Sequence, residues 1–81
     1  MTYEHFEEDD TIWFIDAGLD EKTKEITEYA EKGTVVAIKK NGQLVVDFYA
    51  GLVVMEVEKC FKTKAECEKM IYIRKVAGET K

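Results

Sequence analysis

Residues 34–49, TVVAIKKNGQLVVDFY, contain the pattern that decides the fold of this chain. The Asn41-Gly42 pair separates two runs rich in Val and Ile, and Asn-Gly between such runs is the strongest short-range indication of a β-hairpin. We expect a two-residue type I′ turn, in which both turn residues have positive φ. A turn of that length sets the register and places Ile38 opposite Val45.

Both faces of this hairpin carry apolar side chains. Val35 and Ala37 point to one face, and Val36 and Ile38 point to the other. A sheet with one side in water needs only one apolar face. The hairpin is therefore expected to curl into a small barrel, to be covered by a helix and loops, or to lie in a dimer interface.

Two further strands flank the hairpin. Residues 11–17, TIWFIDA, are β-branched and aromatic and end before Gly18, which predicts a central strand with two apolar faces. Ala50-Gly51 predicts a second tight turn, with Gly51 in a left-handed or bulge position. Residues 52–58 then return as a third strand of the meander, with Val53, Met55 and Val57 on one side.

The end of the chain predicts a helix. Thr63 and Glu66 have the T-x-x-E spacing of a capping box, in which each side chain satisfies a free backbone N–H group of the first turn. Cys67, Met70 and Ile71 fall on or near one side of this helix, and Gly78 is a natural stop.

Residues 19–32 fit two structures. As a helix, the segment would be capped by Asp20, would end near Lys32 and would be followed by Gly33. As a strand, residues 25–32 would follow a polar turn. Helix propensity favours the first alternative, but the buried face of such a helix would be thin. A second helix over residues 20–32 therefore remains one of two alternatives.

These elements predict an α+β fold: a small antiparallel β-meander, or an SH3-like barrel, with a C-terminal helix packed on it. Residues 1–10 form an acidic N-terminal arm that either docks through Tyr3 and Phe6 or stays loose. Residues 11–78 form a single globular domain, as expected for a chain of 81 residues. Residues 79–81 form a frayed tail.

The composition of the chain limits its possible cellular location and its possible classes of binding partner. No apolar run approaches the roughly 20 residues that span a bilayer, and the acidic start is unlike a signal peptide. With only two cysteines, the chain is predicted to be cytoplasmic. Residues 1–33 hold eleven acids and three bases, a charge of −8, whereas residues 34–81 carry +3, which gives the net charge of −5. Direct binding to nucleic acid needs clustered Lys and Arg and is not expected, nor is binding to a membrane.

Part of the chain resembles a known group. Residues 12–15 (IWFI), Gly33-Thr34-Val35 and residues 60–69 (CFKTKAECEK) are similar to small uncharacterised proteins of phages and Gram-positive bacteria. These share an aromatic strand, a G-x-V strand opening, a meander and a closing F-x-T-K-x-E-x-E helix. The resemblance covers about half the chain. It implies an SH3-like barrel or meander and no activity, and it makes strand and helix equally expected for residues 25–32. The chain departs from the pattern in its acidic segment 19–32 and at Cys67.

The residues with reactive side chains predict neither a catalytic nor a metal site. Cys60, Cys67 and His5 lack the number and spacing of zinc ligands, and residues 7–10 lack the alternation and glycine of a calcium loop. No cofactor is predicted. A reactive thiol at Cys60, beside Lys59 and close to a helix start, is the minor alternative to a buried structural cysteine.

The functional prediction rests on apolar strand residues that the core does not cover. Trp13 and Phe14 are neighbours on a strand and face opposite ways, so one of them needs a cover other than the core. The candidate interaction residues are Trp13, Val36, Ile38, Val45 and Tyr49.

They predict a non-enzymatic protein-interaction module, such as an accessory protein of a phage or mobile genetic element, that binds a protein partner or forms a homodimer. The alternative is an acidic inhibitor that mimics nucleic acid in a basic groove.

Overall fold

Four strands follow one another as an antiparallel meander, and a short fifth strand pairs with the first. The computed structural model describes residues 5–79. The elements are β1 (Thr11–Leu19), β2 (Ile26–Ile38), β3 (Leu44–Phe48), β4 (Gly51–Met55), one turn of 3-10 helix (Val57–Lys59), β5 (Cys60–Phe61) and α1 (Lys64–Glu79). The strand order is β4-β3-β2-β1-β5. The predicted α+β meander with a C-terminal helix is confirmed, and the sheet is open rather than closed into a barrel.

Residues 20–32 form a turn and a strand, so the helix alternative is wrong. The Asp20 carboxylate accepts hydrogen bonds from the backbone N–H groups of Lys22 (2.8 Å) and Thr23 (3.3 Å), as a helix cap would. The chain then leaves the helical path at Lys24, whose φ is 62°. β2 begins at Ile26 and pairs with β1 along nine residues. The predicted strand opening at Gly33 therefore lies in the interior of β2.

The hairpin between β2 and β3 has a three-residue turn instead of the predicted two-residue type I′ turn. The Lys39 N–H donates to the Gln43 carbonyl (2.8 Å), and the Gly42 N–H donates to the Lys39 carbonyl (2.9 Å). Gly42 has a φ of 88°, while Asn41 has no positive φ. Ile38 consequently lies opposite Leu44, not Val45.

A bulge in β2 changes which side chains share a face. Val35 lies opposite Val46 and Ala37 opposite Val45, so the register shifts at Val36. A residue inserted into one strand of a pair reverses the alternation beyond it. Ile38 therefore points to the same side as Leu44, at the end of the strand.

The buried core lies on one face of the sheet. Its members are Phe6, Ile12, Phe14, Val35, Leu44, Val46 and Cys60. Val53, Met55 and Val57 pack against them, which confirms the predicted sidedness of this segment, although β4 itself ends at Met55.

Helix α1 covers the opposite face of the β1–β2–β5 half. The Lys64 ammonium lies 5.8 Å from the Trp13 ring centroid, and Arg74 forms an ion pair with Glu28 (3.0 Å). Half of the predicted capping box is present at its start: the Glu66 N–H donates to the Thr63 hydroxyl, and the Glu66 carboxylate accepts from that hydroxyl instead of from the Thr63 backbone, each at 3.1 Å. Within residues 5–79, no helix has the length and apolarity to cross a membrane.

The N-terminal arm contacts the core through Phe6, which is buried. The Asp9 N–H donates to the Val35 carbonyl (2.7 Å), and the Val35 N–H donates to the Asp10 carbonyl (2.9 Å). These bonds hold the arm beside β2. Tyr3, with residues 1–4 of the predicted arm and residues 80–81 of the predicted tail, lies outside the described residues.

Candidate protein-interaction surface

Apolar side chains of β2, β3 and β4 that point away from the core form an exposed surface, which we call the outer face, and the exposed Asp47 lies at its border opposite Leu52. Its members are Val36, Ala37, Val45, Leu52 and Val54. Ala37, Val45 and Val54 are cross-strand neighbours in one row. Directly opposite residues on one face have Cβ atoms about 5 Å apart, so this row is continuous. Val36 is 42% exposed, Val54 48% and Leu52 69%.

The alternation of β3 and β4 produces this surface. Val46 and Val53 pair directly and pack in or against the core, so their neighbours Val45 and Val54 point outward. Helix α1 contacts β1, β2 and β5. It therefore covers the outward side of the first half of the sheet, whereas Val36, Leu52 and Val54 in the second half are exposed.

Only two of the five predicted interaction residues belong to the outer face. Val36 and Val45 lie together on it. Trp13 is partly covered by Lys64 of the helix, and Ile38 lies on the core side at the end of β2. Tyr49 is 78% exposed but lies in the turn after β3, with its ring edge-on to Phe48.

Tyr49 belongs to a separate aromatic cluster with Tyr29. The Tyr29 hydroxyl lies 3.4 Å from the Asp16 carboxylate, to which it donates. Hydrogen bonding to Tyr49, partial desolvation and the negative charge of Asp16 raise the pKa of Tyr29 to about 12. This phenol is a hydrogen-bond donor to Asp16.

Leu52 and Val54 belong to the outer face but were not among the predicted interaction residues. Both lie on β4, which is an edge of the sheet and pairs only with β3. The run from Leu52 to Met55 contains no charge and no proline. Edge strands are usually protected by charged residues, proline or a bulge, so an uncharged run at the sheet edge was the pattern that could have identified them.

Cys60 does not have the properties of a reactive thiol. Burial raises its pKa to about 11, whereas the minor alternative required a lowered value. Its Sγ lies 3.5 Å from the Glu56 carbonyl oxygen and 3.8 Å from the Met55 Sδ. Burial and then the charge of Glu68 also raise the pKa of Cys67. Both cysteines are free and buried, as small structural side chains.

A groove of about 610 Å³ lies along the half of β1 that β5 does not pair. Apolar walls from Phe14, Ile15 and Met70 alternate with charges of both signs. The Arg74 guanidinium at its rim is already paired with Glu28. Asp16, Glu58 and Lys59 line the groove as well, so its lining is mixed in polarity, in contrast to the mainly apolar outer face.

The remaining candidate groups are dispersed. His5 is exposed and lies 3.7 Å from the Glu7 carboxylate. Among residues 5–79, no three His, Cys, Asp or Glu side chains come together in a way that could hold a metal ion. Comparison of the chain with protein-family models, with curated proteins and with solved structures found no match.

Proposed function

We propose that the chain is a non-enzymatic protein-interaction module that binds a protein partner through the outer face. The observation that carries the proposal is the continuous row from Ala37 through Val45 to Val54, bordered by the more exposed Leu52 and Val36. Val36, Leu52 and Val54 are each more than two-fifths exposed, and contiguous exposed apolar side chains are a feature of interaction sites.

The rest of the molecule is compatible with a binding role. The two free thiols are buried, and a raised pKa keeps Cys60 protonated, which supports a cytoplasmic setting with cysteines as packing residues. An accessory role in a phage or mobile genetic element is part of the proposal through the resemblance of residues 33–71. Apolar docking to a protein is expected to persist at high salt, since burial of apolar surface is not screened by ions.

A matched pair of β2 variants tests the proposal. Val36→Lys places a charge on the outer face, whereas Ile26→Lys places the same charge on an exposed aliphatic position at the far end of the strand. The wild-type chain and Ile26→Lys, used as bait in cells of the natural host, should retain the same protein at high salt. Val36→Lys should lose that protein.

Two outcomes would contradict the proposal. If Val36→Lys retains every protein that Ile26→Lys retains, the outer face is not the binding surface. If the retained protein is released by salt and is unaffected by Val36→Lys, the contact is electrostatic and belongs to the acidic surface instead. Circular dichroism of both variants confirms that each is folded before the comparison is made.

A further inference from the structure

We propose that β4 pairs with β4 of a second copy of this chain, in antiparallel orientation around Val53, so that two sheets join into one. This inference goes beyond the proposed function, since it gives a partner to the open edge of β4, which borders the outer face. β4 is an open edge of five residues, Gly51–Met55, and none of them is charged. Free N–H and C=O groups along such an edge are a template for another strand.

The backbone of β4 is complementary to itself in this arrangement. Residues of an antiparallel pair alternate between those bonded to the neighbouring strand and those directed away from it. Counting from the two-residue turn at 49–50, the pair Phe48–Gly51 is the first bonded pair, so Leu52 and Val54 direct their backbone groups to the open edge. Around a two-fold axis at Val53, Leu52 of one copy meets Val54 of the other. This pairing forms four backbone hydrogen bonds.

The side chains that meet are matched in polarity and charge. Leu52 and Val54 both point outward and are 69% and 48% exposed, so each covers apolar surface of the other. Glu56 of one copy meets Ala50 of the second copy, and no like charges lie directly opposite each other. The apolar row through Ala37, Val45 and Val54 then continues onto Leu52 of the second copy.

The interface is small, so the dimer is expected to be weak. Five residues from each chain bury less than the roughly 1,200 Å² of a standard interface, so we expect a dissociation constant in the micromolar range. Both copies carry a net charge of −5 and repel each other at long range. Salt screens this repulsion, so added salt should strengthen the dimer.

Sedimentation equilibrium of the full chain tests the inference, over concentrations from about 5 to 500 μM. The wild-type chain should dimerise reversibly, and Leu52→Lys should weaken the dimer at least about tenfold. Ile26→Lys and Val36→Lys, which lie off the edge, should leave it unchanged. A strict monomer overturns the inference, as does a dimer that is insensitive to Leu52→Lys or is broken by Val36→Lys.

Cross-linking tests the register without a destabilising charge. A mixture of Leu52→Cys and Val54→Cys should form a disulfide-linked heterodimer under mild oxidation, because these positions lie opposite each other across the axis. Each variant alone should form far less homodimer. Equal cross-linking of each variant with itself would overturn the antiparallel register. The buried Cys60 and Cys67 should remain reduced in all samples.

The edge dimer and the proposed function can be refuted independently of each other. A monomer that still retains a host protein in a Val36-dependent manner overturns the edge dimer and leaves the proposed function standing, with the edge free for a strand of that protein. A dimer with the predicted register that retains no host protein supports the edge dimer and limits the function to self-association.

Discussion

Gly33 shows how a single residue limits the packing of the sheet. It lies in β2 opposite Ile12, and a Cβ atom built on it would come within 2.5 Å of the Val46 Cγ1 and 3.2 Å of the Asp47 carbonyl oxygen. The close approach is required by the path of β3 across β2. Glycine is needed here for space, because its backbone has no positive φ.

We expect Gly33→Ala to lower the free energy of unfolding by about 1–3 kcal/mol, since either the Val46 side chain or the β3 backbone must move. Urea denaturation measures the change. Gly78→Ala is the control, because its Cβ would meet open space in a helix, and it should leave stability unchanged or raise it by up to about 1 kcal/mol. Equal stability of wild type and Gly33→Ala would mean that β2 and β3 are further apart than described.

Cys60 makes stability depend on pH in the alkaline range. Burial raises its pKa from 9.0 to about 11, so the folded chain holds the thiol proton more tightly than the unfolded chain does. The resulting stabilisation is complete below pH 9 and is lost as the pH rises toward 11. Denaturation midpoints should fall across this interval, and the fall should be smaller in Cys60→Val. An identical pH profile for both proteins would show that another group causes it.

The turn between β2 and β3 can be tested as an element. In a two-residue type I′ turn, Asn41 and Gly42 would both need positive φ, whereas the three-residue turn needs it only at Gly42. We therefore expect Gly42→Val to cost at least about 1 kcal/mol and Asn41→Val to cost less. Asn41→Val is still expected to cost some stability, because it removes the hydrogen bonds between the Asn41 side chain and Gln43. Thermal melts of both variants distinguish the two turns, and equal losses of stability would favour the two-residue turn.

Sequence patterns predicted the existence of the hairpin but not its register. Asn-Gly serves both a two-residue loop and a three-residue loop that ends in a left-handed glycine, so the dipeptide alone does not choose between them. The bulge at Val36 then shifts the pairing again. For this reason Ile38 was placed on the wrong face, and the predicted interaction residues do not all share one face.

The segment 20–32 was ambiguous because its local chemistry is that of a helix start. Asp20 does cap the next two free N–H groups, but one turn later Lys24 adopts a left-handed conformation. The residues that follow pair with β1 along nine positions. Long-range pairing overrides helix propensity here, and a single sequence contains no direct record of which strand lies beside which.

At the scale of the whole molecule, the arm completes the core of an open sheet. The Phe6 ring is buried among residues of the core, with the Lys62 ammonium 4.9 Å from the ring centroid. Removal of a buried phenylalanine costs about 3–5 kcal/mol. The free energy of unfolding of a domain is roughly 5–15 kcal/mol in total, so the arm is an integral part of the fold.

We expect Phe6→Ala to be largely unfolded at room temperature or to melt far below the wild type, as measured by calorimetry. His5→Ala is the matched control, because the neighbouring histidine is exposed and its replacement should change stability by less than about 0.5 kcal/mol. A Phe6→Ala variant as stable as His5→Ala would show that the arm is not part of the core.

The 13-residue strand β2 is shared by the two halves of the sheet, and this division has a consequence for the exchange of amide hydrogens with solvent. Its first part pairs with β1 and its last part with β3, and Thr34 lies opposite both Thr11 and Asp47. Opening either half alone therefore leaves the middle of β2 held by the other half. Amides near Thr34 should exchange last, only when the whole domain unfolds, while those at the Leu19–Ile26 end exchange through local opening.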